Sequence, residues 1–267
     1  MLEEPVAPKG TAFEPDLYGA PPATAWEHHD PNIIETEVLS PIDSATALVL
    51  KKLTCDLPIL DAAERRSWAQ FLVSLFHRHR DTILERDQHA PALARETLAR
   101  MLAGYERAED RALVIDALDG LDLTQTAKTA HRTLMVRSIR DERATDAINA
   151  LAWDILTIRA PLHFITTDRP LLINAGQCGM LQLLSIPLSP TRLLFAYPAF
   201  WRGPDGPVID GVEELRQNFA AFHDLMLLNE QPCRYVYASR SLDDNRIVKD
   251  KVVHLRTTVQ QVLARCR

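Results

Sequence analysis

The sequence is poor in glycine and cysteine, and neither residue occurs in a motif that carries chemistry. Nine glycines are spread over 267 residues, without the spacing of a phosphate-binding loop. The four cysteines are Cys55, Cys178, Cys233 and Cys266. They form no C-x-x-C pair, so we predict free thiols in a reducing compartment. Metal-ligand spacing and nucleophile motifs are also absent. No reaction is therefore indicated by a motif.

Long apolar runs and an excess of positive charge are missing as well. No stretch approaches the roughly 20 consecutive apolar residues of a membrane helix. The first ten residues, MLEEPVAPKG, are acidic and broken by proline, so no signal peptide is indicated. The net charge of −6 provides no electrostatic footprint for duplex nucleic acid. These features predict a cytoplasmic protein with no membrane association and no strong nucleic-acid signature.

The first 31 residues hold six of the seventeen prolines. Proline fixes φ and removes a backbone donor, so we predict an irregular segment over residues 1–31. His28 and His29 are predicted to be exposed rather than metal ligands, because adjacent residues of an extended chain point to opposite sides. Residues 32–267 are predicted to form a single helical domain.

Helical signals begin at residue 32. Asn32 and Ser40 are predicted N-caps of two successive helices with a break between them. Asp61 is predicted to cap a third helix, with Glu64 as its capping-box partner. The apolar stripe predicted to be buried in that helix is Trp68, Phe71, Leu72, Leu75 and Phe76. Further helices are predicted at about 88–107, 109–118, 124–137 and 140–158.

The pattern changes at Pro161, where short apolar runs separated by Pro, Gly and Asn predict a β-rich insert at about 161–200. The predicted strands are Leu162–Thr166, Leu171–Asn174, Leu181–Ile186 and Leu193–Tyr197. Their close spacing favours antiparallel hairpins. Beyond them we predict a helix at 211–229 capped by Asp210, a strand at Arg234–Ser239 and a helix at 249–265. The predicted fold class is α+β and mostly helical, with an N-terminal helical layer and a small antiparallel sheet formed by segments of the C-terminal half.

Three short motifs carry a family resemblance. They are Trp153-Asp154-Ile155-Leu156, His163-Phe164-Ile165-Thr166-Thr167-Asp168-Arg169-Pro170 and Ile186-Pro187-Leu188-Ser189-Pro190. This order resembles the bacterial family catalogued as domain of unknown function 4238. Its members pair a Phe-containing strand ending in Thr/Ser-Asp-x-Pro with a downstream Pro-Leu-Ser-Pro turn. Upstream, the acidic residues Glu37 and Asp43 and the arginine Arg78 also match family positions, so the resemblance covers about residues 30–200.

The resemblance implies a difference at the N-terminus. Family members usually open with a His-x-x-Pro, aromatic-Leu stretch and a β-hairpin, and this chain starts too late to hold them. We therefore expect either an N-terminally shortened protein or a partial replacement by His28-His29-Asp30-Pro31. The family's activity is uncharacterised, so the resemblance implies a fold and candidate positions but no reaction.

Asp168 is the first candidate for a functional carboxylate, because it ends an apolar strand where metal ligands and general bases often lie. The alternative is that it accepts backbone N–H groups in the turn before Pro170. Glu37 and Asp43 could join Asp168 in a hard-oxygen site for Mg²⁺ or Mn²⁺. Otherwise Glu37 is a solvated helix residue, and Asp43 is a first-turn acid favoured by the helix dipole.

Arg78 and His79 are the remaining candidate site residues, and their candidate role is to assist catalysis. Together with Arg80 they are predicted to close a helix, where positive charge complements the helix dipole. The alternative is a small anion-binding cluster for phosphate. His79 falls on the inward side of its helix, which favours a satisfied buried histidine over a ligand.

Two functions of different classes remain open from the sequence. The first is a non-catalytic accessory protein that binds a partner protein or a second copy of itself, in a bacterial stress or defence setting. The second is a metal-dependent hydrolase acting on phosphodiesters, with Glu37, Asp43 and Asp168 as ligands and Arg78 or His79 assisting. The absence of a catalytic motif favours the first.

Overall fold

The computed structural model of this chain describes residues 17–18, 32–55, 59–118, 122–159, 163–175, 181–201, 223–224, 227 and 236–237. The chain divides into two compact units. The helical unit comprises Phe13–Thr46 and Gln70–Ala144. The sheet unit comprises Met1–Ala12, Ala47–Ala69 and Thr145–Arg267. The single domain expected for residues 32–267 stays a prediction.

The elements confirm an α+β, mostly helical fold with a small antiparallel sheet from the C-terminal half. The helices are the π-helix Glu35–Leu39, α1 (Ser40–Leu53), α2 (Ala62–His77), α3 (Arg80–Ala103), α4 (Ala108–Leu118), α5 (Leu123–Ile139) and α6 (Glu142–Asn149). The strands are β1 (Ala152–Thr157), β2 (Thr166–Thr167), β3 (Leu172–Ala175), β4 (Leu181–Ser189), β5 (Arg192–Tyr197) and β6 (Val236–Tyr237). A short 3₁₀ helix covers Ala199–Trp201. Among the described helices, none is long and apolar enough to cross a membrane.

The two helices predicted to begin at Asn32 and Ser40 are one continuous helical segment. Ser40 has helical backbone angles (φ −59°, ψ −42°), and its N–H donates to the carbonyl of Glu35, five residues back. Pro41 explains this wider turn, because a proline ring clashes with the carbonyl four residues before it and supplies no donor. The π-helix absorbs the proline without a break. The predicted N-cap at Ser40 was therefore wrong.

The predicted capping box at the start of α2 is confirmed. The Glu64 N–H donates to Asp61 Oδ1 (2.8 Å), and the Asp61 N–H donates to Glu64 Oε2 (3.1 Å). The buried stripe on α2 is confirmed at Trp68 and Leu72, which are 2% and 0% exposed, but Phe76 is 57% exposed. Phe76 lies in the last turn of α2, where its ring contacts that of His77 (centroids 5.2 Å apart) rather than the interior.

The core of the helical unit joins the π-helix, α1, α3 and α5. Its buried members are Ile34, Val38, Leu39, Ile42, Ile83, Met135 and Ile139. Leu17, Tyr18, Phe71 and Val136 are partly buried and pack against them. A short N-terminal turn is therefore part of this unit's packing.

In the sheet unit, the main sheet has the strand order β1-β5-β4-β3, and all its pairings are antiparallel, as predicted for β3, β4 and β5. The prediction of a helix over 140–158 was wrong beyond α6, because residues 152–157 form strand β1. Arg65 is the physical reason: its guanidinium donates to the carbonyls of Asn149 and Leu151 and stacks on Trp153 at 3.9 Å. Carbonyl groups held by a distant side chain do not continue a helix.

A second, two-stranded sheet pairs β2 with β6, with Thr166 opposite Tyr237 and Thr167 opposite Val236. Of the strand predicted at Arg234–Ser239, the described residues are those of β6. Of the helix predicted at 211–229, residues 223–224 and 227 are described, and they are helical. Its predicted cap Asp210 and the helix predicted at 249–265 lie outside the described residues.

Candidate functional site

The predicted site residues belong to different units. Glu37, Asp43, Arg78 and His79 lie in the helical unit, whereas Asp168 lies in the sheet unit. Of these residues, the structure brings Asp43 and Arg78 into direct contact. Within the described ranges, no group of three or more His, Cys, Asp or Glu side chains is arranged to hold a metal ion. The site for Mg²⁺ or Mn²⁺ therefore stays a prediction.

Arg78 and Asp43 form an ion pair that engages both carboxylate oxygens. Arg78 Nη1 lies 2.8 Å from Asp43 Oδ1 and 2.9 Å from Oδ2. The guanidinium also lies over the ring of Phe71, 5.3 Å from its centroid. Because the helix continues upstream of Asp43 as the π-helix, no helix N-terminus stabilises this carboxylate. Arg78 supplies the positive charge instead.

The segment Arg78-His79-Arg80 connects two helices rather than closing one. The Arg78 N–H completes the last turn of α2 by donating to Ser74 (2.9 Å). The carbonyl of His79 accepts the N–H of Ile83 (3.1 Å), so it begins the hydrogen bonding of α3. Arg80 is thus the first residue of α3, and the predicted placement of this residue at a helix C-terminus was wrong. Glu37 lies on the π-helix and is exposed, which agrees with the alternative that it is a solvated helix residue.

The Tyr18 side chain attaches the N-terminal turn to the connection between α2 and α3. Its hydroxyl donates to the carbonyl of Arg78 at 3.0 Å. Burial raises the pKa of the Tyr18 phenol, Arg78 opposes the rise, and Glu35 and Asp43 add to it. The hydroxyl therefore stays protonated and serves as a donor at neutral pH.

A second and more deeply buried ion pair joins α3 to α5. Arg132 Nη1 and Nη2 lie 2.8 and 2.7 Å from the two oxygens of Asp87. The side chains are 7% and 16% exposed. Nη2 also donates to the carbonyl of Leu17 at 3.3 Å. Two arginines thus bind the turn Leu17-Tyr18. The carbonyl of Arg78 accepts the Tyr18 hydroxyl, and the guanidinium of Arg132 donates to the carbonyl of Leu17.

Tyr18, Asp87 and Arg132 were not predicted as functional or structural partners from the sequence. A signal was present for Arg132, since it precedes the buried Met135 and Ile139 by three and seven residues and so falls on the apolar face of α5. A charged residue on a buried face requires a partner. Nothing local identified Asp87 as that partner, because the two residues are 45 positions apart.

In the sheet unit, a buried histidine and aspartate contact Phe164 and Ile165, the two residues just before β2. His223 Nδ1 lies 3.2 Å from Asp224 Oδ1, and both side chains are 1% exposed. The Ile165 N–H donates to Asp224 Oδ2 at 3.4 Å, and the rings of His223 and Phe164 meet edge to face at 5.8 Å. Burial raises the pKa of Asp224, and the bonds from His223 and Ile165 oppose that rise. Among the residues that the structure describes, the buried His223 Nε2 has no hydrogen-bond partner.

The turn after β2 contains part of the predicted hydrogen bonding. Thr167 Oγ1 accepts the N–H of Arg169 at 3.0 Å, so the threonine closes the turn before Pro170. Asp168 is half-buried in this turn. This contact agrees with the alternative in which the residues of this motif stabilise the turn through local hydrogen bonds.

The comparisons with known proteins bear on the family alone. The model of the family described as "Protein of unknown function (DUF4238)" matches residues 2–206, which is well over half of the chain. The matched range includes the turn Leu17-Tyr18, both Arg–Asp pairs and the Thr167-Asp168 turn, whereas His223 and Asp224 lie beyond it. No curated protein and no solved structure matches the chain. The protein therefore belongs to the family of proteins of unknown function DUF4238.

Proposed function

We propose that this protein is a non-catalytic accessory protein of the bacterial cytoplasm that acts by binding a partner. The observation that supports this most directly is the ion pair between Asp43 and Arg78. Asp43 is a ligand in the competing metal-dependent mechanism, yet both its oxygens accept from the guanidinium. Arg78, the assisting residue in that mechanism, is 17% exposed and contacts Phe71 as well. The pair joins α1 to the end of α2, which is a packing role.

The surface we assign to the partner is the α3–α4 surface, which lies entirely in the helical unit. It consists of exposed apolar side chains at the end of α3 and on α4, namely Met101 (51%), Tyr105 (37%), Leu113 (68%) and Ile115 (54%). Arg111 ties α4 to the preceding connection by donating from Nε to the carbonyl of Tyr105 (2.9 Å). We take these side chains together as one interaction surface, because a contiguous exposed apolar patch marks a protein-binding site.

A second copy of this chain is the partner we assign to the α3–α4 surface. Around the apolar residues, the sequence places Glu109 and Asp110 beside Arg107 and Arg111. Both charge signs on one surface suit a two-fold symmetric contact, in which each surface meets its own copy and acids face bases. The net charge of −6 would oppose a polyanionic partner in the same place.

The self-association is tested by sedimentation of the full chain over a concentration series. We expect a dimer that dissociates at least tenfold more readily in the double variant Leu113→Ser/Ile115→Ser, because about half of each exposed side chain's apolar area leaves water at a contact. Leu134→Ser is the matched control, because Leu134 is 54% exposed on α5, outside this surface. A monomer at every concentration, or equal weakening by the control, overturns this assignment.

The metal-dependent hydrolase remains a second candidate, with Glu37, Asp43 and Asp168 as ligands. The observation in its favour is the His223–Asp224 pair, which contacts Ile165, three residues before Asp168. A carboxylate that orients an imidazole is an arrangement used for general bases.

Thermal unfolding with Mn²⁺, Mg²⁺ and Zn²⁺ separates the two candidates. For a non-catalytic protein, we expect the melting temperature to be unchanged by each ion, both in the natural chain and in Asp168→Ala. Stabilisation by an ion that Asp168→Ala and Asp43→Asn both remove would favour the hydrolase, since a bound ligand stabilises only the folded state that holds it.

A further inference from the structure

The turn Leu17-Tyr18 contacts the helical unit in the way a bound peptide would. Its two polar contacts reach residues that are distant along the chain. The Tyr18 hydroxyl donates to the carbonyl of Arg78 at 3.0 Å, across 60 positions. The Leu17 carbonyl accepts from Arg132 Nη2 at 3.3 Å, across 115 positions. Both residues of the turn are half-buried. The attachment of the turn therefore depends on tertiary contacts.

The groups that receive the turn are held in position by contacts of their own. Asp87 binds the guanidinium of Arg132 through two hydrogen bonds of 2.8 and 2.7 Å. Asp43 binds Arg78 at 2.8 and 2.9 Å and so fixes the residue whose carbonyl accepts from the tyrosine. Each arginine has its own aspartate, so neither needs the turn to balance its charge. A site with its polar groups already in place spares part of the ordering cost of binding.

An apolar wall lies beside these polar groups. Leu17 and Tyr18 pack against the buried core of the helical unit, which includes Ile83 and Met135. Ile83 precedes Asp87 by four residues on α3, and Met135 follows Arg132 by three on α5, so the apolar wall adjoins the buried ion pair on both helices. Apolar walls with a few fixed polar groups are the usual composition of a binding site.

We propose that the helical unit has a binding site for a short peptide with an apolar residue followed by tyrosine, and that Leu17-Tyr18 is its intramolecular occupant. Arg132 binds a main-chain carbonyl, so this contact accepts any residue at the first position. The apolar wall selects an apolar side chain there, and the carbonyl of Arg78 selects a ring that carries a hydroxyl donor. A partner protein that presents this pair of residues must displace the chain's own turn. The inference goes beyond self-association, because none of these residues belongs to the α3–α4 surface.

Fluorescence anisotropy with a labelled peptide that has the sequence of residues 13–22 tests the site in the full chain. The double variant Leu17→Ser/Tyr18→Ser removes the intramolecular occupant. We expect it to bind the peptide about tenfold or more tightly than the natural chain, because apparent affinity falls with the fraction of time that the site is open. Leu134→Ser is the matched control, since it makes the same exchange at a leucine of this unit that is 54% exposed. It leaves the turn in place and should bind as weakly as the natural chain.

The tyrosine hydroxyl provides a second readout. A peptide with phenylalanine in place of the tyrosine should bind the double variant about fivefold more weakly, because one hydrogen bond is lost.

The full-chain variant Tyr18→Phe retains the ring, so it remains informative if the double variant does not fold. Its affinity for the natural peptide should exceed that of the natural chain. No binding to the folded double variant at millimolar peptide, or equal affinities of Tyr18→Phe and the natural chain, overturns the site. Leu113→Ser/Ile115→Ser should bind the peptide as the natural chain does, so a failure here leaves the proposed self-association untouched.

Discussion

Two arginine–aspartate pairs stabilise the helical unit, and they differ in burial. Arg132 and Asp87 are 7% and 16% exposed, whereas Asp43, the partner of Arg78, is 45% exposed. Solvent screens the second pair, so its net contribution to stability is small. Removing one member of the first pair leaves a buried charge without a partner, which is among the most destabilising changes a protein can undergo.

We therefore predict that Arg132→Met lowers the free energy of unfolding by about 3–5 kcal/mol. Arg78→Met is expected to lower it by about 1 kcal/mol. Urea unfolding of both variants measures the difference. Arg100→Met is the control, because Arg100 and Glu96 form a pair that is 69% and 67% exposed. Equal losses in Arg132→Met and Arg100→Met would contradict the role given to the buried pair.

Asp224 predicts a dependence of stability on pH. Burial raises its pKa in the folded state above the ordinary value of 3.8. The folded state then binds more protons than the unfolded state between those two values, so stability falls as the pH rises through this window. The contribution is fully present below pH 3.8 and is lost above the folded pKa.

Urea unfolding of the natural chain and of Asp224→Asn at a series of pH values measures this effect. We expect the natural chain to lose stability relative to Asp224→Asn as the pH rises from about 4, because asparagine carries no proton to release. A difference that stays constant with pH, or that grows in favour of the natural chain, would show that Asp224 is not held protonated by its surroundings.

At the scale of the elements, a helix start is determined locally where a capping side chain accepts backbone N–H groups of the first helical turn. The capping box of Asp61 and Glu64 is such a case, and the sequence predicted it correctly. Asp122, which was not predicted, caps α5 by accepting the N–H groups of Thr124 and Gln125. The start of α1 was missed because the π-helix before Pro41 is a response to crowding, which cap preferences do not describe.

Replacing either cap aspartate by alanine is predicted to cost about 1 kcal/mol of unfolding free energy, because backbone N–H groups at the helix start lose their acceptor. Asp61→Asn and Asp122→Asn should retain most of the stability, since asparagine is an equally good N-cap. Urea unfolding with helix content followed by circular dichroism measures both series. If asparagine proved as costly as alanine, the aspartates would be acting through charge rather than as caps.

The molecule as a whole carries a net charge of −6, which outweighs any single basic cluster at long range. We predict no measurable binding to duplex DNA at physiological salt, because neutralising several phosphates requires a basic surface that this composition does not favour. Fluorescence anisotropy with a labelled duplex, at low and physiological salt, is the measurement. Micromolar binding that persists at physiological salt would show a basic face strong enough to override the total charge.

The sequence by itself determined the α+β class, the antiparallel β3–β5 hairpins and the α2 capping box, because these depend on side chains near each other in the chain. It also identified the DUF4238 motifs, including Asp168. Only the tertiary structure decided that residues 152–157 are a strand, since Arg65 and strand β5 supply the partners that end α6 and pair β1. The same holds for the pair Arg132–Asp87, whose members are 45 positions apart. It also holds for the burial of His223 and Asp224, which depends on packing that the local sequence does not specify.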